Sequence, residues 1–307
     1  MPERTFLDVP RLRLLSEVSS QGSIAAAARV VGITSSAVSQ QLSLLEREAG
    51  VPLLDRSTRG ADLTGAGEAL VVRARMVFSL LEEARAELDQ FKGELAGQVS
   101  IGSIASAIVS IVLPASSRLR QAHPDIELAV RALEPSSSID ELVNGHINLA
   151  IIDLYDHVPM ALPEYLVATE IVAEPLVLVS PVGFQRGNDL ALADLKDEKW
   201  VMPPTSAACG QAFRHACRDQ GFEPDISVET DDLLLLVESV AQGQGLALLP
   251  RLAVASGVTP VSLQALAGPR LQRRILTVTR SSNERRPIIR AVLDELRRPL
   301  AQQTAVL

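Results

Sequence analysis

Cysteine, histidine, positive charge and long apolar runs are all scarce in this chain of 307 residues, and each scarcity removes a class of function. Its two cysteines, Cys209 and Cys217, stand eight apart in a helical pattern, which sets them about 12 Å apart along a helix axis. Disulfide bonding needs Cα atoms within about 7 Å, so both thiols are expected to be structural. The four histidines, His123, His146, His157 and His215, adjoin loop or surface-type stretches and are expected to be solvated. His215 between the two cysteines does not make a metal site. No G-x-S-x-G elbow or phosphate-binding loop occurs, so an enzyme is not expected. Gly243 and Gly245 leave a helix for a strand, the reverse of a dinucleotide fingerprint. No cofactor and no metal are therefore expected. No window approaches the roughly 18 uninterrupted apolar residues of a membrane helix. The opening MPERTFLDVPRLRLLSEV lacks the apolar core of a signal peptide, so no membrane partner and a cytoplasmic location are expected.

The formal net charge is −8, which on its face disfavours a polyanionic partner. The front of the chain is nonetheless balanced. Residues 1–62 carry Arg4, Arg11, Arg13, Arg29, Arg47, Arg56 and Arg59 against Glu3, Asp8, Glu17, Glu46, Glu48, Asp55 and Asp62. A neutral module with its arginines on one face still binds DNA, with weak nonspecific affinity because it neutralises few phosphates.

What the chain does contain is a helix-turn-helix spacing over residues 23–49, SIAAAARVVGITSSAVSQQLSLLEREA. An alanine-rich helix from Ile24 to Val30 allows close approach of a neighbour. Gly32 permits a positive φ, Ile33 is expected to plug the core, and Thr34 caps a second helix through its hydroxyl. On that helix Val38, Leu42, Leu45 and Ala49 form one apolar stripe. Ser35, Ser36, Ser39, Gln40, Ser43 and Arg47 form the opposite one. Glutamine pairs with adenine through two hydrogen bonds and serine serves either base pair, so this stripe suits a major groove. A first helix opens at Asp8-Val9-Pro10. After Gly50 a short strand, a basic tip around Arg56-Ser57-Thr58-Arg59-Gly60 and a return strand read as a wing, with Arg56 and Arg59 available to phosphates or a minor groove.

Thr64 then caps a long helix to about Lys92. Its apolar residues Leu70, Ala74, Val77, Leu81, Ala84, Leu88 and Phe91 step 4-3-4-3-4-3, a heptad seam that specifies packing on another long helix. No second helix of that length is predicted, so the seam is expected to pair two subunits. From Gln98 onward strands and helices alternate, which implies a parallel sheet covered on both faces and two similar α/β lobes.

The whole order resembles the LysR-type transcriptional regulators. The resemblance runs through GSIAAAARVVGITSSAVSQQLSLLEREAGVPLLDRSTRGADLTGAGEAL, then QVSIGSI, HPDIELAV, ELVNGHINLAII, AEPLVLVSP, DEKWVMPP and GFEPDISVETDDLLLLVESVAQGQGLALLPRL. It implies an α/β chain with an N-terminal winged helix-turn-helix over 1–63, a long linker and dimerisation helix over 64–95, and a two-lobed periplasmic-binding-protein-like effector domain. Lobe I would take 96–167 and 267–307, and lobe II 168–266, with crossings near Val167 and Leu266. The implied partners are double-stranded promoter DNA, a small co-inducer, and a second subunit in a dimer or a tetramer of two dimers; RNA polymerase is a further candidate. Similar proteins often carry arginines on the reader helix and near the wing's return strand. Here Gln40, Ser43, Leu44 and Asp62 stand there, which favours reliance on paired dimers.

The effector is expected between the lobes, at the carboxyl ends of the strands. Ser103-Ile104-Ala105-Ser106 and Thr205-Ser206-Ala207 each follow a strand and begin a helix. Hydroxyls and free N–H groups at helix starts favour a carboxylate or other anion. Asp153 and Asp231 or Asp232 are placed near the same cleft and would suit an amine, although capping the helix at Leu233 accounts for one of the last two.

Overall fold

The computed structural model describes residues 6–57, 60–90, 95–184, 186–187, 189–254, 259–268 and 271–298. Three helices, α1 (Val9–Gln21), α2 (Ile24–Val31) and α3 (Ser35–Ala49), form the front module. Their ends follow local chemistry. Asp8 accepts from the Arg11 amide and Ser23 from the Ala26 amide, while Gly22, Gly32 and Gly50 close the helices in the left-handed region. Leu15, Val38, Leu42 and Leu45 are buried at the centre. Each such side chain contributes about 1.5–3 kcal/mol by leaving water. The wing follows as β1 (Leu54–Ser57) paired with β2 (Gly60–Leu63).

Thr64 caps α4 (Gly65–Gln90) by accepting from the Gly67 amide at 3.1 Å. Gly67 is required by packing, because a Cβ there would meet the Leu53 carbonyl oxygen at 2.2 Å. The seam of α4 divides. Ala74 is buried in the front module's own core, where Leu70 also packs, so these two of the expected subunit contacts are engaged within the protomer. The physical cause is that the first turns of α4 complete the small winged-helix core together with Val71 and Phe78. Farther along, Val77, Leu81, Ala84 and Leu88 are exposed. Phe91 lies outside the described residues.

The two-lobed domain that follows is built on a seven-stranded mixed sheet rather than a parallel one. Its order is β10-β6-β11-β5-β3-β4, with β9 also on β6. The strands are β3 (Gly97–Ser103), β4 (Ile126–Ala132), β5 (Leu149–Tyr155), β6 (Leu166–Pro181), β9 (Ala247–Pro250), β10 (Val261–Gln264) and β11 (Gln272–Arg280). Only β3–β4 and β3–β5 are parallel within it; β11 runs antiparallel to both β5 and β6. A separate pair, β7 (Lys199–Met202) and β8 (Asp225–Glu229), is parallel.

The long strand β6 joins the lobes. Residues 166–175 pair with β11 in lobe I, and residues 176–181 pair with β9 and β10 in lobe II. The chain therefore changes lobes at Pro175, not near Val167, which is paired with Thr279 inside lobe I's sheet. Proline suits the changeover because it cannot donate a ladder hydrogen bond.

Helices cover the sheet. After β3 a helical run over 105–122 comprises α5 (Ala105–Ala107), a π-helical stretch (Ile108–Val112) and α6 (Leu113–Ala122). Then come α7 (Pro135–Val143), α8 (Ala208–Asp219), α9 (Leu233–Ala241), α10 (Arg251–Val254), α11 (Ser281–Glu284) and α12 (Pro287–Arg297). The front module docks on lobe I. Glu17 of α1 meets His146 Nε2 at 3.0 Å, Asn144 donates to the Ser20 hydroxyl at 3.0 Å, and α4 packs on α11.

Candidate functional site

The reader face starts at Thr34, whose oxygen accepts from the Ala37 amide at 3.2 Å and pairs with the Ser36 hydroxyl at 3.0 Å. Ser35, Ser36, Gln40 and Arg47 are exposed, whereas Ser39 and Ser43 are half-buried. Ser43 donates back to the Ser39 carbonyl at 2.9 Å, so its hydroxyl proton is already used. Gln41 faces inward and accepts from Arg11 at 3.0 Å, leaving Gln40 as the outward amide. Ile33 does not plug the core. It is 41% exposed, because main-chain bonds from Gly32 and Ile33 to the Ala28 carbonyl close the turn and leave its side chain outside. With Val30 and Val31 it forms an exposed apolar edge beside the reader helix, of the kind that meets thymine methyl groups.

In the wing Arg56 lies on β1 opposite Ala61, and Arg59 lies outside the described residues. Asp55 and Asp62 are cross-strand partners and both are exposed. Directly opposed like charges destabilise a hairpin and repel a phosphate backbone.

Between the lobes lies a cavity of about 140 Å³. Ile104, Ser106, Asp153 and Asp231 line it. Ser103 does not: it is fully buried at the end of β3 and its hydroxyl donates to the Ile104 carbonyl at 3.2 Å. Thr205 and Ser206 are exposed and lie off the cavity wall. The helix they were expected to open starts later, at Ala208, capped at Ala207 without a side-chain bond. Asp232 caps α9 by accepting from the Leu234 and Leu235 amides, which leaves Asp231 to the cavity.

The residue that organises this site is Arg273, on β11 and 2% exposed. Its Nε and Nη2 donate to Glu174 Oε1 at 3.0 and 2.5 Å, and Nη1 donates to the Ser106 hydroxyl at 2.8 Å. Asp153 lies 3.6 Å from Nη1. Glu174 Oε2 accepts from the Leu252 amide at 2.9 Å, which ties lobe I's β6 to lobe II's α10. Nothing in the composition of RRILTVTR marks which arginine turns inward. Only strand alternation with the buried Ile275 and Thr277 carries that signal.

The electrostatic balance of the cavity is negative. Burial raises the Asp153 carboxyl above its ordinary range, and the Arg273 guanidinium opposes this without cancelling it. Glu134, at the start of α7, is raised by burial and by the charges of Asp153 and Asp231. Burial also pushes the Cys209 thiol up to about 12, although a hydrogen bond with Tyr155 pulls the other way. The Cys217 thiol is raised to about 12 by burial. Both thiols are inert at neutral pH. Among the described residues, Arg273 is the one cation on the cavity wall, against Glu134, Asp153 and Asp231.

A winged helix-turn-helix joined by a long helix to a two-lobed domain with an interlobe cavity defines a DNA-binding regulator that senses a small molecule. The family model described as "Bacterial regulatory helix-turn-helix protein, lysR family" matches residues 10–68, and "LysR substrate binding domain" matches residues 92–301. The chain belongs to the LysR family: it is a DNA-binding transcriptional regulator with an effector-binding domain, and not an enzyme. It is 28% identical over 296 residues to the probable HTH-type transcriptional regulator LrrA of Synechococcus elongatus, covering 95% of this chain and 97% of that one. Its fold is similar to full-length OxyR from Pseudomonas aeruginosa, solved as a cysteine-to-aspartate variant (TM-score 0.73, 21% identity, 95% of each chain). It also resembles full-length CbnR complexed with its target DNA (TM-score 0.55, 22% identity, 95% of this chain and 99% of that one). No helix among the described residues is long and apolar enough to cross a membrane.

Proposed function

We propose that this regulator acts in the cytoplasm on promoter DNA and responds to a small effector that carries a positively charged nitrogen. The observation that carries the effector class is the charge of the cavity: three carboxylates line it, and the one cation among its described residues is already bonded to Glu174 and Ser106. A carboxylate ligand would add a fourth negative charge with no partner. An amine or guanidinium would neutralise Glu134 and Asp231. The anion expected from the helix starts keeps Ser106 and the Ala207–Ala208 helix start on the wall but loses the hydroxyls of Ser103, Thr205 and Ser206, which do not line the cavity.

Ser35, Ser36 and Gln40 are assigned to bases, with Arg47, Arg56 and Arg59 on the backbone. The exposed end of α4, with Val77, Leu81 and Leu88, pairs two subunits, and two such dimers meet one promoter; RNA polymerase is a partner of the assembled complex. The route from ligand to DNA is short. Helix α7 begins at Glu134 on the cavity wall, and the turn after it carries Asn144 and His146, which touch α1. Neutralising Glu134 therefore biases the seat of the reading head, a shift between populations of two arrangements.

The test is a thermal-shift screen of the full chain at low salt against matched amines, guanidines and carboxylates. Stabilisation by members of the cationic set, and loss of it in Glu134→Gln, is the expected outcome. Stabilisation by carboxylates alone would overturn the effector class. Binding to duplexes from upstream of the protein's own gene, followed by fluorescence anisotropy, tests the reader: Gln40→Ala should weaken specific binding about tenfold or more.

A further inference from the structure

We propose that His157, His215 and Asp219 form a binding site for a divalent transition metal, of which Zn²⁺ and Ni²⁺ are the fitting examples, at the junction of the two lobes. The three side chains come from different parts of the fold. His157 sits in the turn that leaves β5, closed by a bond from the Val158 amide to the Tyr155 carbonyl at 3.2 Å. His215 and Asp219 stand one helical turn apart on α8, and His215 Nε2 lies 3.5 Å from Asp219 Oδ2. The two imidazoles stack with centroids 4.5 Å apart. One ligand atom from each of the three residues falls within 4.8 Å of the others.

Two imidazoles and one carboxylate are a donor set that zinc and nickel accept, with remaining positions left to water. Tetrahedral bonds of about 2.0–2.1 Å put donor atoms about 3.4 Å apart. The required contraction is therefore at most about 1.4 Å, which rotation of exposed side chains supplies. Hard cations such as Mg²⁺ prefer all-oxygen shells and are disfavoured.

The surroundings do not repel a cation. Arg214 and Arg218, the neighbouring positive charges on α8, are paired with Glu229 at 2.9 Å and Glu223 at 2.5 Å. His157 is held in an unusual conformation. Among the described residues it is the one non-glycine with positive φ, at 65°, where glycine would sit more easily. That backbone is what brings its ring over α8.

The position gives the site a consequence. Tyr155, two residues before His157, and Cys209, on the same helix as His215, both line the effector cavity. A metal held here clasps the end of lobe I's β5 to lobe II's α8 and stiffens the junction that carries both walls.

The experiment uses the full chain, stripped of metal with a chelator, titrated with ZnCl₂ and separately with NiCl₂ by calorimetry, with MgCl₂ as control. The expected result is one Zn²⁺ per protomer, a rise in Tm with Zn²⁺ and none with Mg²⁺. His157→Gly, His215→Ala and Asp219→Asn should each weaken Zn²⁺ at least tenfold. His157→Gly is the decisive variant, since glycine suits the backbone there and the metal-free Tm should not fall. No zinc uptake, uptake unchanged in His157→Gly, or one zinc per two chains with a zinc-dependent rise in mass would each overturn the proposal.

Discussion

Lobe I faces the cavity with Ser106, Glu134, Asp153 and Arg273, whereas lobe II faces it mainly with apolar groups such as Ala207, Leu236 and Leu249, and with one carboxylate, Asp231. The difference divides the labour of recognition. On the proposed reading a cationic group would meet Glu134 on lobe I and Asp231 on lobe II, above an Arg273 already tied into the sheet by bonds to Glu174 and Ser106. Lobe II then supplies a dry cover, and excluding water strengthens every charge interaction beneath it. Of the two walls, the polar one is the more vulnerable, because its charges depend on one another.

The harshest way to break this contrast is Arg273→Met. The arginine is 2% exposed and holds Glu174 through two nitrogens. Removing one partner of a buried pair leaves an uncompensated charge, at a cost of about 3–5 kcal/mol. At about 2–4 °C per kcal/mol for a domain of this size, the Tm should fall by about 6–20 °C in a thermal melt. Adding Glu174→Gln to the same chain should restore part of the loss, since the stranded charge goes with it. A single variant that melts within a degree of the parent would show that the polar wall is not a mutually dependent network.

On the other wall, Leu236→Ala should cost less. Leu236 is 2% exposed and packs with Val179, Val201 and Val240. Buried leucine-to-alanine changes cost about 2–5 kcal/mol, and the low end applies because one side of Leu236 already borders empty space. The enlarged cavity should admit a bulkier effector while keeping the preference for positive charge, measurable by comparing branched and linear amines in thermal shift. Loss of that preference would mean that charge selection depends on the apolar wall as well as on the carboxylates.

The reading head was legible in the residues themselves because its signals are local. Asp8, Ser23, Thr34 and Thr64 each cap the helix that follows them, and Gly32 and Gly50 sit where a positive φ is needed. The wing's two strands flank the basic tip as read, with β1 running on through Arg56 and Ser57. The mixed sheet was not legible, because β11 returns from the far end of the chain to lie between β5 and β6, and pairing direction leaves no trace in apolar runs. The cavity was half legible. Ser106 follows β3 and Asp153 lies near the end of β5, and both line the cavity, but Arg273 and Glu174 meet across 99 positions of sequence. Each alone reads as an ordinary surface charge. Thr205 and Ser206 show the converse error: hydroxyls before a helix invite a binding role, yet the turn carries them outward.

The finest test of the contrast between the walls is the pH dependence of Glu134→Gln, measured as Tm without ligand. Glu134 has its carboxyl raised above the ordinary value by burial and by the charges of Asp153 and Asp231. The folded protein therefore holds this proton more tightly than the unfolded chain does. The stability so gained is fully present below the unfolded pKa, near 4.5, and is lost as pH rises through the raised folded value. At pH 7 the ionised carboxylate works against folding, so Glu134→Gln should melt slightly higher than the parent there. The gap should close as the pH is lowered below about 4.5, where both side chains are neutral. Saturating the parent with a cationic effector at pH 7 should reverse the order, because the ligand's charge turns a repelled carboxylate into a paired one. A parent that outlasts the variant at pH 7 without ligand would mean that Glu134 is already paired in the free protein, and that the charged wall of lobe I does not wait for a cation.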